Sequence, residues 1–258
     1  MEAAFAGRVA LVTGSSRGIG KAIAEAFAEA GAHVIINYVN SRQRAEDLTA
    51  ALMEKYAVDA LAIQADVTDE HAVERMMNEI LEEFDAVDIV VNNALHQYTF
   101  DPDARKKAWE IEWEDYQHQL DGSLKGTHHV CKYAIPSMKA RNSGKIINMT
   151  TNLLYRPVVP YHDYNTAKGA VQTYSHNLAA DLGPFGITVN CVAPGLVYPT
   201  DASRKTKEEV KEAIISQTPL RRIAAPEDVT GSVLYFASGW SRFVTGQTII
   251  VDGGFTMK

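Results

Sequence analysis

The sequence predicts one α/β domain over residues 1–258: a doubly wound, seven-stranded parallel sheet with helices on both faces. Three observations lead there. Short apolar runs alternate with helix-period segments almost from end to end, the pattern of parallel strands joined by helical crossovers. The first run opens straight into a glycine-rich turn and then an amphipathic segment, the layout of a phosphate-binding α/β unit. No internal repeat, linker or low-complexity tract divides the 258 residues, which at 46% hydrophobic and 22% charged suffice for one large core.

Each element follows in order. Residues 8–13 (R-V-A-L-V-T) are a buried strand by composition and run into Gly14. From Ile19, the residues Ala22, Ile23, Ala26, Phe27 and Ala30 recur at helical spacing, and Gly31 closes that helix as a C-terminal cap. Residues 34–38 form the second strand, 41–56 a polar helix and 60–64 the third strand, which leads to Asp66. Thr68 or Asp69 caps the next helix, where Val73, Met76, Met77, Ile80, Leu81 and Phe84 make one apolar stripe. The fourth strand, 87–91, closes on Asn92-Asn93-Ala94. Residues 95–107 carry aromatics, a proline and mixed charge without a period, and read as an excursion before a long helix over 114–141. A fifth strand over 145–149, a loop over 150–160, a helix over 162–182 and a sixth strand over 186–191 follow. Residues 194–219 hold a short charged helix, 205–216, between loops, so a mobile substrate lid is expected around 196–218. Pro226 begins another helix with acids behind it, and 247–251 is the last strand.

Composition narrows the function. Lys plus Arg number 25 against 32 Asp plus Glu, a net charge of −7, so no global positive field draws the chain to nucleic acid or an anionic membrane. The two cysteines, Cys131 and Cys191, cannot build a disulfide framework or a four-cysteine zinc site, which makes a reducing, cytoplasmic location the expectation. The N-terminal stretch lacks the charged-then-apolar layout of a signal peptide, and no apolar run approaches the roughly 18 residues of a membrane span. No metal is expected: the histidines contain no H-E-x-x-H pair, and the adjacent His128 and His129 point about 100° apart on a helix. G-x-S-x-G is absent, so a serine hydrolase has no support.

The turn after the first strand reads T-G-S-S-R-G-I-G, with glycines at 14, 18 and 20. Such glycines let the backbone approach a pyrophosphate, whose charge is met by free amides and the positive end of the following helix. Lys21 invites a nucleoside-triphosphate loop, but that loop needs glycine where Ser15 stands and a magnesium-binding hydroxyl where Ala22 stands. Farther on, Tyr164 and Lys168 lie four apart on the helix over 162–182 and share a face. An ammonium there favours phenolate and lowers a phenol pKa that is ordinarily about 10. Thr151, thirteen residues before Tyr164, ends G-K-I-I-N-M-T-T; Thr150 is its alternative, and strand alternation lets only one of the two hydroxyls reach a common site. Tyr155 and Tyr161 lack a cation four residues on, though Tyr161 can line a pocket, and Tyr133 sits in an apolar helical stretch.

The spacing Gly-x-x-x-Gly-x-Gly resembles the short-chain dehydrogenase/reductase superfamily. The likeness continues through Asp66-Val67, Asn92-Asn93-Ala94, Tyr164-x-x-x-Lys168, Pro194-Gly195 and V-T-G-Q-x-I-x-V-D-G-G, covering essentially the whole chain. Within it the chain is most similar to the 3-oxoacyl-(acyl-carrier-protein) reductase-like group. The resemblance implies a Rossmann-like fold, a nicotinamide cofactor and a homotetramer with the Ser123-bearing helix and the last helix and strand at the contacts. Tyr164 then gives a proton to a substrate carbonyl, Thr151, usually Ser, holds that oxygen, and Lys168 tunes Tyr164 and holds the ribose. Cofactor contacts are implied for Gly14, Ser16, Arg17, Gly18, Ile19 and Gly20, for Asp66 at the adenine amino group, for Asn92 at the adenosine ribose, for Val67 and Ala94, and for Pro194, Gly195 and Val197 at the nicotinamide. Thr200 stands one residue later than the usual Thr.

Two positions depart from the pattern: Leu95 replaces the usual Gly after Asn92-Asn93-Ala94, and Ser123 stands where a helix Asn normally completes a proton relay. Serine is shorter, and His118 or Gln119, one turn earlier, are candidate substitutes. A nucleotide-binding regulatory protein with little turnover is therefore the alternative of a different class. The second strand ends I-I-N-Y-V-N-S-R with no acid before Glu46, while Arg17, Asn37, Ser41 and Arg42 offer charge and donors, so NADPH is expected over NADH. The substrate is expected to be a 3-oxoacyl thioester, with another ketone, alcohol or sugar as the alternative. Tyr98, Phe100, Trp109 and Trp113 with the lid are candidates for an apolar pocket. An acidic acyl-carrier protein would need a basic patch, for which Lys139, Arg141 and Lys145 are candidates; against it, Phe185 stands where related reductases carry Arg before G-I-T-V-N.

Overall fold

The computed structural model describes residues 4–95 and 98–257. The first residues of the N-terminal stretch, His96 and Gln97 of the excursion, and Lys258 lie outside the described residues. Among those described, seven parallel strands form one sheet: β1 (Val9–Val12), β2 (His33–Tyr38), β3 (Ala60–Gln64), β4 (Ile89–Asn92), β5 (Gly144–Met149), β6 (Ile187–Pro194) and β7 (Thr248–Val251). Their order is β3-β2-β1-β4-β5-β6-β7. The helices are α1 (Gly18–Glu29), α2 (Arg42–Tyr56), α3 (Glu70–Phe84), α4 (Trp113–Leu120), α5 (Gly126–Ala140), α6 (His162–Leu182), α7 (Glu208–Gln217) and α8 (Glu227–Ala237).

Strand alternation makes two cores. Ala10, Val12, Val34 and Ile36 face one side and pack with Ile23 and Phe27 of α1 and Val233 and Phe236 of α8. Val9, Leu11 and Ile35 face the other and pack with Val73, Met76 and Ile80 of α3 and Val130 and Ala134 of α5. Burial on both faces explains why these strands read as continuous apolar runs. Asp69, the second of the two candidate caps, accepts from the amides of His71 and Ala72 at the start of α3. Gly31 takes φ 88° after α1, as expected of a C-terminal cap.

Two elements differ from expectation. The long helix over 114–141 is interrupted: residues Asp121–Lys125 wind as a π-helix between α4 and α5. Strand β6 runs on to Pro194, three residues past its expected end, because β7 pairs with it as far as Pro194↔Val251. The chain reverses direction across the sheet between β1 and β4, and the C-terminal ends of those strands open the crevice where α/β sheets bind ligands.

Candidate active site

A cleft of about 980 Å³ runs along the C-terminal ends of the strands. At one end lies the glycine turn, with Gly14 at φ 61° and Gly18 at φ 57°, left-handed values that side chains disfavour. A Cβ on Gly20 would stand 2.5 Å from Asn93 Nδ2 and 2.6 Å from the Gly14 carbonyl, so only glycine fits. Ser16, Arg17, Gly18, Ile19 and Gly20 line the cleft. No side chain caps α1 and its first turn carries no acid, which leaves its amides and positive end open to an anion. Asp66, Val67, Ala94 and Ser41 line the same cleft, and Pro194, Gly195 and Val197 close it near β6. An uncapped helix start, a turn with no room for a Cβ and a cleft of this length fit a dinucleotide.

Some of the implied cofactor residues face elsewhere. Asn92 turns its side chain into the core, Nδ2 donating to Asn148 Oδ1 at 2.8 Å, and is not on the cleft wall. Its neighbour Asn93 is on the wall, and its Nδ2 donates to the carbonyls of Thr13 and Gly14, tying β4 to the glycine turn. Sequence reading missed Asn93, whose only signal was its place in Asn92-Asn93-Ala94. Asn37 lines the cleft, but its Oδ1 accepts from Gly14 N at 3.1 Å and its Nδ2 donates to Ala65 O at 2.9 Å, so it shapes the turn. Arg17 is ion-paired with Asp201 of the lid, and Arg42 with Glu46.

At the other end of the cleft stand Thr151, Tyr164 and Lys168, each buried. Thr151 and Tyr164 line the same wall of the cleft, the Thr151 hydroxyl near enough to Tyr164 to lower its phenol pKa. Thr150 spends its hydroxyl on the Val192 carbonyl, so Thr151 is the hydroxyl that reaches Tyr164. Lys168 Nζ donates to the Met149 carbonyl at 2.9 Å and lies 5.9 Å from the centre of the Tyr164 ring. The expected lowering of the phenol by this ammonium does not occur: burial pushes Tyr164 up to about 12, with the Thr151 hydroxyl opposing. Burial also pushes Lys168 down to about 8. Ser123 lies in the π-helical segment, buried, with its hydroxyl unpartnered and off the cleft wall, which its neighbour Gly122 occupies. Gln119 is likewise buried with an unpartnered Oε1, whereas His118 sits on the exposed side of α4.

The pocket walls are only partly those expected. Tyr98, Phe100 and Tyr161 line the cleft beside Tyr164, with Leu153, Val158 and Ile214. Trp109 and Trp113 do not: they are 82% and 64% exposed, because they flank the start of α4 outside the cleft. The basic patch is also misplaced. Arg141 pairs with Asp88, Lys145 donates to Thr188 and Lys139 lies over the Phe185 ring, all at the N-terminal ends of the strands, opposite the cleft. Tyr133 is half-buried with its hydroxyl on Glu70, and Tyr155 accepts from Gln172. His129 bonds the Val67 carbonyl and His128 the Tyr174 hydroxyl; among the described residues no group of His, Cys, Asp and Glu is placed to hold a metal. No helix of the described residues is long and apolar enough to cross a membrane.

Comparison with known proteins agrees with this geometry. A family profile described as "Enoyl-(Acyl carrier protein) reductase" matches residues 14–256. The 3-oxoacyl-[acyl-carrier-protein] reductase FabG of Staphylococcus aureus is 37% identical over 96% of this chain and 98% of its own length. Glucose 1-dehydrogenase 2 of Bacillus subtilis is 31% identical over 97% and 95%. A gluconate 5-dehydrogenase from Burkholderia cenocepacia, solved with NADP and tartrate, superposes with a TM-score of 0.87 at 32% identity, covering 97% of this chain and 96% of that one. With the glycine turn and the Thr151, Tyr164 and Lys168 centre on one cleft, and a profile spanning nearly its whole length, the chain belongs to the short-chain dehydrogenase/reductase superfamily.

Proposed function

We propose that the protein is a cytoplasmic, NADPH-dependent carbonyl reductase whose substrate is a 3-oxoacyl thioester. The observation that carries the reading is the Thr151–Tyr164 hydroxyl pair, with Lys168 behind it, on the wall of the cleft that begins at the glycine turn. When bound, the nicotinamide cofactor supplies hydride to the carbonyl carbon. Thr151 and Tyr164 present two hydroxyls to the carbonyl oxygen and polarise it. As that oxygen gains charge, the Tyr164 phenol gives up its proton to it, and the phenolate left behind is stabilised by the Lys168 ammonium. A phenol pushed up to about 12 retains its proton throughout the neutral range, which favours reduction. The two free cysteines, both buried, suit a reducing compartment.

The cofactor choice rests on the wall at the end of β2, where Tyr38, Val39, Asn40 and Ser41 offer no acid to repel a 2′-phosphate, and on Arg17 of the same cleft, whose ion-pair partner Asp201 lies on the lid. For the substrate, the apolar wall of Phe100, Leu153, Val158 and Ile214 suits an acyl chain better than a polyol, which needs a partner for every hydroxyl. A carrier protein would approach the cleft mouth, where the lid residue Arg204 has no ion-pair partner among the described residues. The sugar-handling relatives make a sugar-derived ketone the second reading. Cofactor oxidation followed across acyl thioesters, free ketones and sugars tests both. Acyl thioesters should give the highest kcat/KM, with NADPH preferred; a sugar ranking first would replace the substrate, and NADH preferred at equal concentration would replace the cofactor. Binding of NADPH without turnover of any carbonyl, and no effect of Tyr164→Phe, would leave a nucleotide-binding regulatory protein.

A further inference from the structure

The excursion between β4 and α4 lays two aromatic rings on Tyr164. The Tyr98 ring stacks on it, centroids 5.1 Å apart and planes 21° from parallel. Phe100 meets it edge-on at 5.0 Å and 90°, and also meets Tyr98 and Tyr161. Tyr98 is pinned at its far end: its hydroxyl donates to Asp163 Oδ1 at 3.2 Å, on the residue immediately before Tyr164 in α6. One side chain therefore grips the same helical turn twice, by a ring on residue 164 and a hydrogen bond to residue 163. Burial and the Asp163 carboxylate push the Tyr98 phenol far up, so it stays a neutral donor.

We propose that Tyr98 is the positioning residue for Tyr164: anchored on Asp163, its ring seats the Tyr164 ring so that the Tyr164 hydroxyl is held on the Thr151 side of the cleft. This rests on the reading of Tyr164 as proton donor. The geometry has a physical reason to matter. A phenol on a helix swings about two side-chain torsions, and proton transfer needs its oxygen held on the substrate carbonyl; misplacement by about 1 Å can cost a hundredfold. Tyr164 is carried by α6 with Thr151 of the loop after β5 near its hydroxyl, and the Tyr98 and Phe100 rings cover its ring. The seat is also tied to the lid. Phe100 N donates to the Ala202 carbonyl at 3.0 Å, Asp101 pairs with Lys205 at 3.7 Å, and Asp103 pairs with Lys207. A lid that moves carries this strap with it, so the position of Tyr98 over Tyr164 follows the position of the lid.

The test uses the full chain and two readouts. In steady-state reduction of a 3-oxoacyl thioester, Tyr98→Ala and Tyr98→Leu should lower kcat roughly ten- to a hundredfold while the ketone KM and the NADPH affinity stay within a few-fold. Tyr98→Phe, which keeps the ring, should recover most of kcat. Independently of turnover, 3-fluorotyrosine placed at position 164 reports the seat by fluorine NMR. The stacked ring should displace its resonance from that of the free amino acid in the wild type and in Tyr98→Phe, and Tyr98→Leu should return it toward the free value. An unchanged resonance in Tyr98→Leu, or a kcat unaffected in Tyr98→Ala and Tyr98→Leu, overturns the proposal. A wild type that reduces no carbonyl defeats the proposed function instead, and the fluorine signal still decides whether Tyr98 seats Tyr164.

Discussion

Tyr164 and Lys168 are charged or neutral according to how deeply each is buried, and burial moves them in opposite directions: the phenol up to about 12, the ammonium down to about 8. At neutral pH this leaves both protonated, the state a reductase needs before hydride arrives. Tyr164→Phe removes the proton source and nothing else from the cleft, so kcat/KM should fall by about 10²–10⁴ with NADPH affinity retained, as read by cofactor fluorescence; an unchanged rate would exclude Tyr164 as the acid. Thr151→Val preserves the shape of the wall and removes the hydroxyl, and a loss of about tenfold or more in kcat is expected. Lys168 also leaves a mark on stability. Its folded value lies below the ordinary 10.5, so between about pH 8 and 10.5 the unfolded chain holds a proton that the folded chain has released, and stability rises with pH across that window. Tyr164 has the opposite sign: its stabilisation is complete below its ordinary 10.0 and is lost as pH rises toward about 12. Between pH 7.5 and 9.5 the buried Cys131 and Cys191 thiols, pushed up from an ordinary 9.0, also lower stability as pH rises, so the Lys168 effect is read from urea unfolding as a difference from Lys168→Met. The wild type should gain about 2 kcal/mol relative to Lys168→Met between the two, and parallel behaviour of the two proteins would show that Lys168 is not held by burial.

The elements that carry the cofactor end depend on backbone space more than on side chains. Gly20→Ala places a Cβ against the Gly14 carbonyl and the Asn93 carboxamide; the carbonyl belongs to the turn itself and cannot move away, so the turn must open. The expected result is a stability loss of about 1–3 kcal/mol and weakened NADPH binding, measured by thermal unfolding with and without cofactor; wild-type behaviour in both would mean that the turn has slack the structure does not show. That glycine was legible because a turn between a strand and a helix has a local sequence signature. The strands were legible for the same reason, since burial on both faces turns residues such as Val34, Ile35 and Ile36 into an unbroken apolar run. The π-helical winding at Asp121–Lys125 was not, because a five-residue stretch with Leu124 as its one large apolar side chain is too short to show a change of period when its hydrogen bonds skip one residue farther. Nor was the stack of Tyr98 on Tyr164, two residues 66 positions apart whose meeting depends on how the excursion folds back. Asn92 and Asn37 carry a structural duty that their residue types did not announce: their carboxamides bond Asn148, Gly14 and Ala65, partners set by the sheet register.

At the scale of the whole molecule, the two ends of the sheet do different work: the C-terminal ends of the strands form the cleft, and Arg141 at the other end is spent on Asp88 and the Val87 carbonyl. The sheet edge has its own problem. β7 is paired on one side only, with β6, and its residues are all partly exposed. In the segment between α8 and β7, Trp240 is 74% exposed and Phe243 fully so. Each aromatic carries about 150–250 Å² of surface, and two exposed rings in the segment that leads into a strand with an open edge are candidates for burial against a partner. A second copy related by two-fold symmetry would cover edge and rings together, since an isologous contact sets the same patch on both sides. A second pair of exposed aromatics, Trp109 and Trp113, flanks the start of α4, and a chain that pairs with its own copy through each of two such patches forms a tetramer. Sedimentation at micromolar concentration should therefore find a homotetramer. Phe243→Asp combined with Trp240→Ser should reduce it to dimers, because a buried carboxylate repeated across a two-fold axis repels its own copy, while the cleft and its Tyr164 centre remain intact and NADPH still binds. A wild type that sediments as a monomer, or a double variant that sediments like the wild type, would show that these rings are simply solvated.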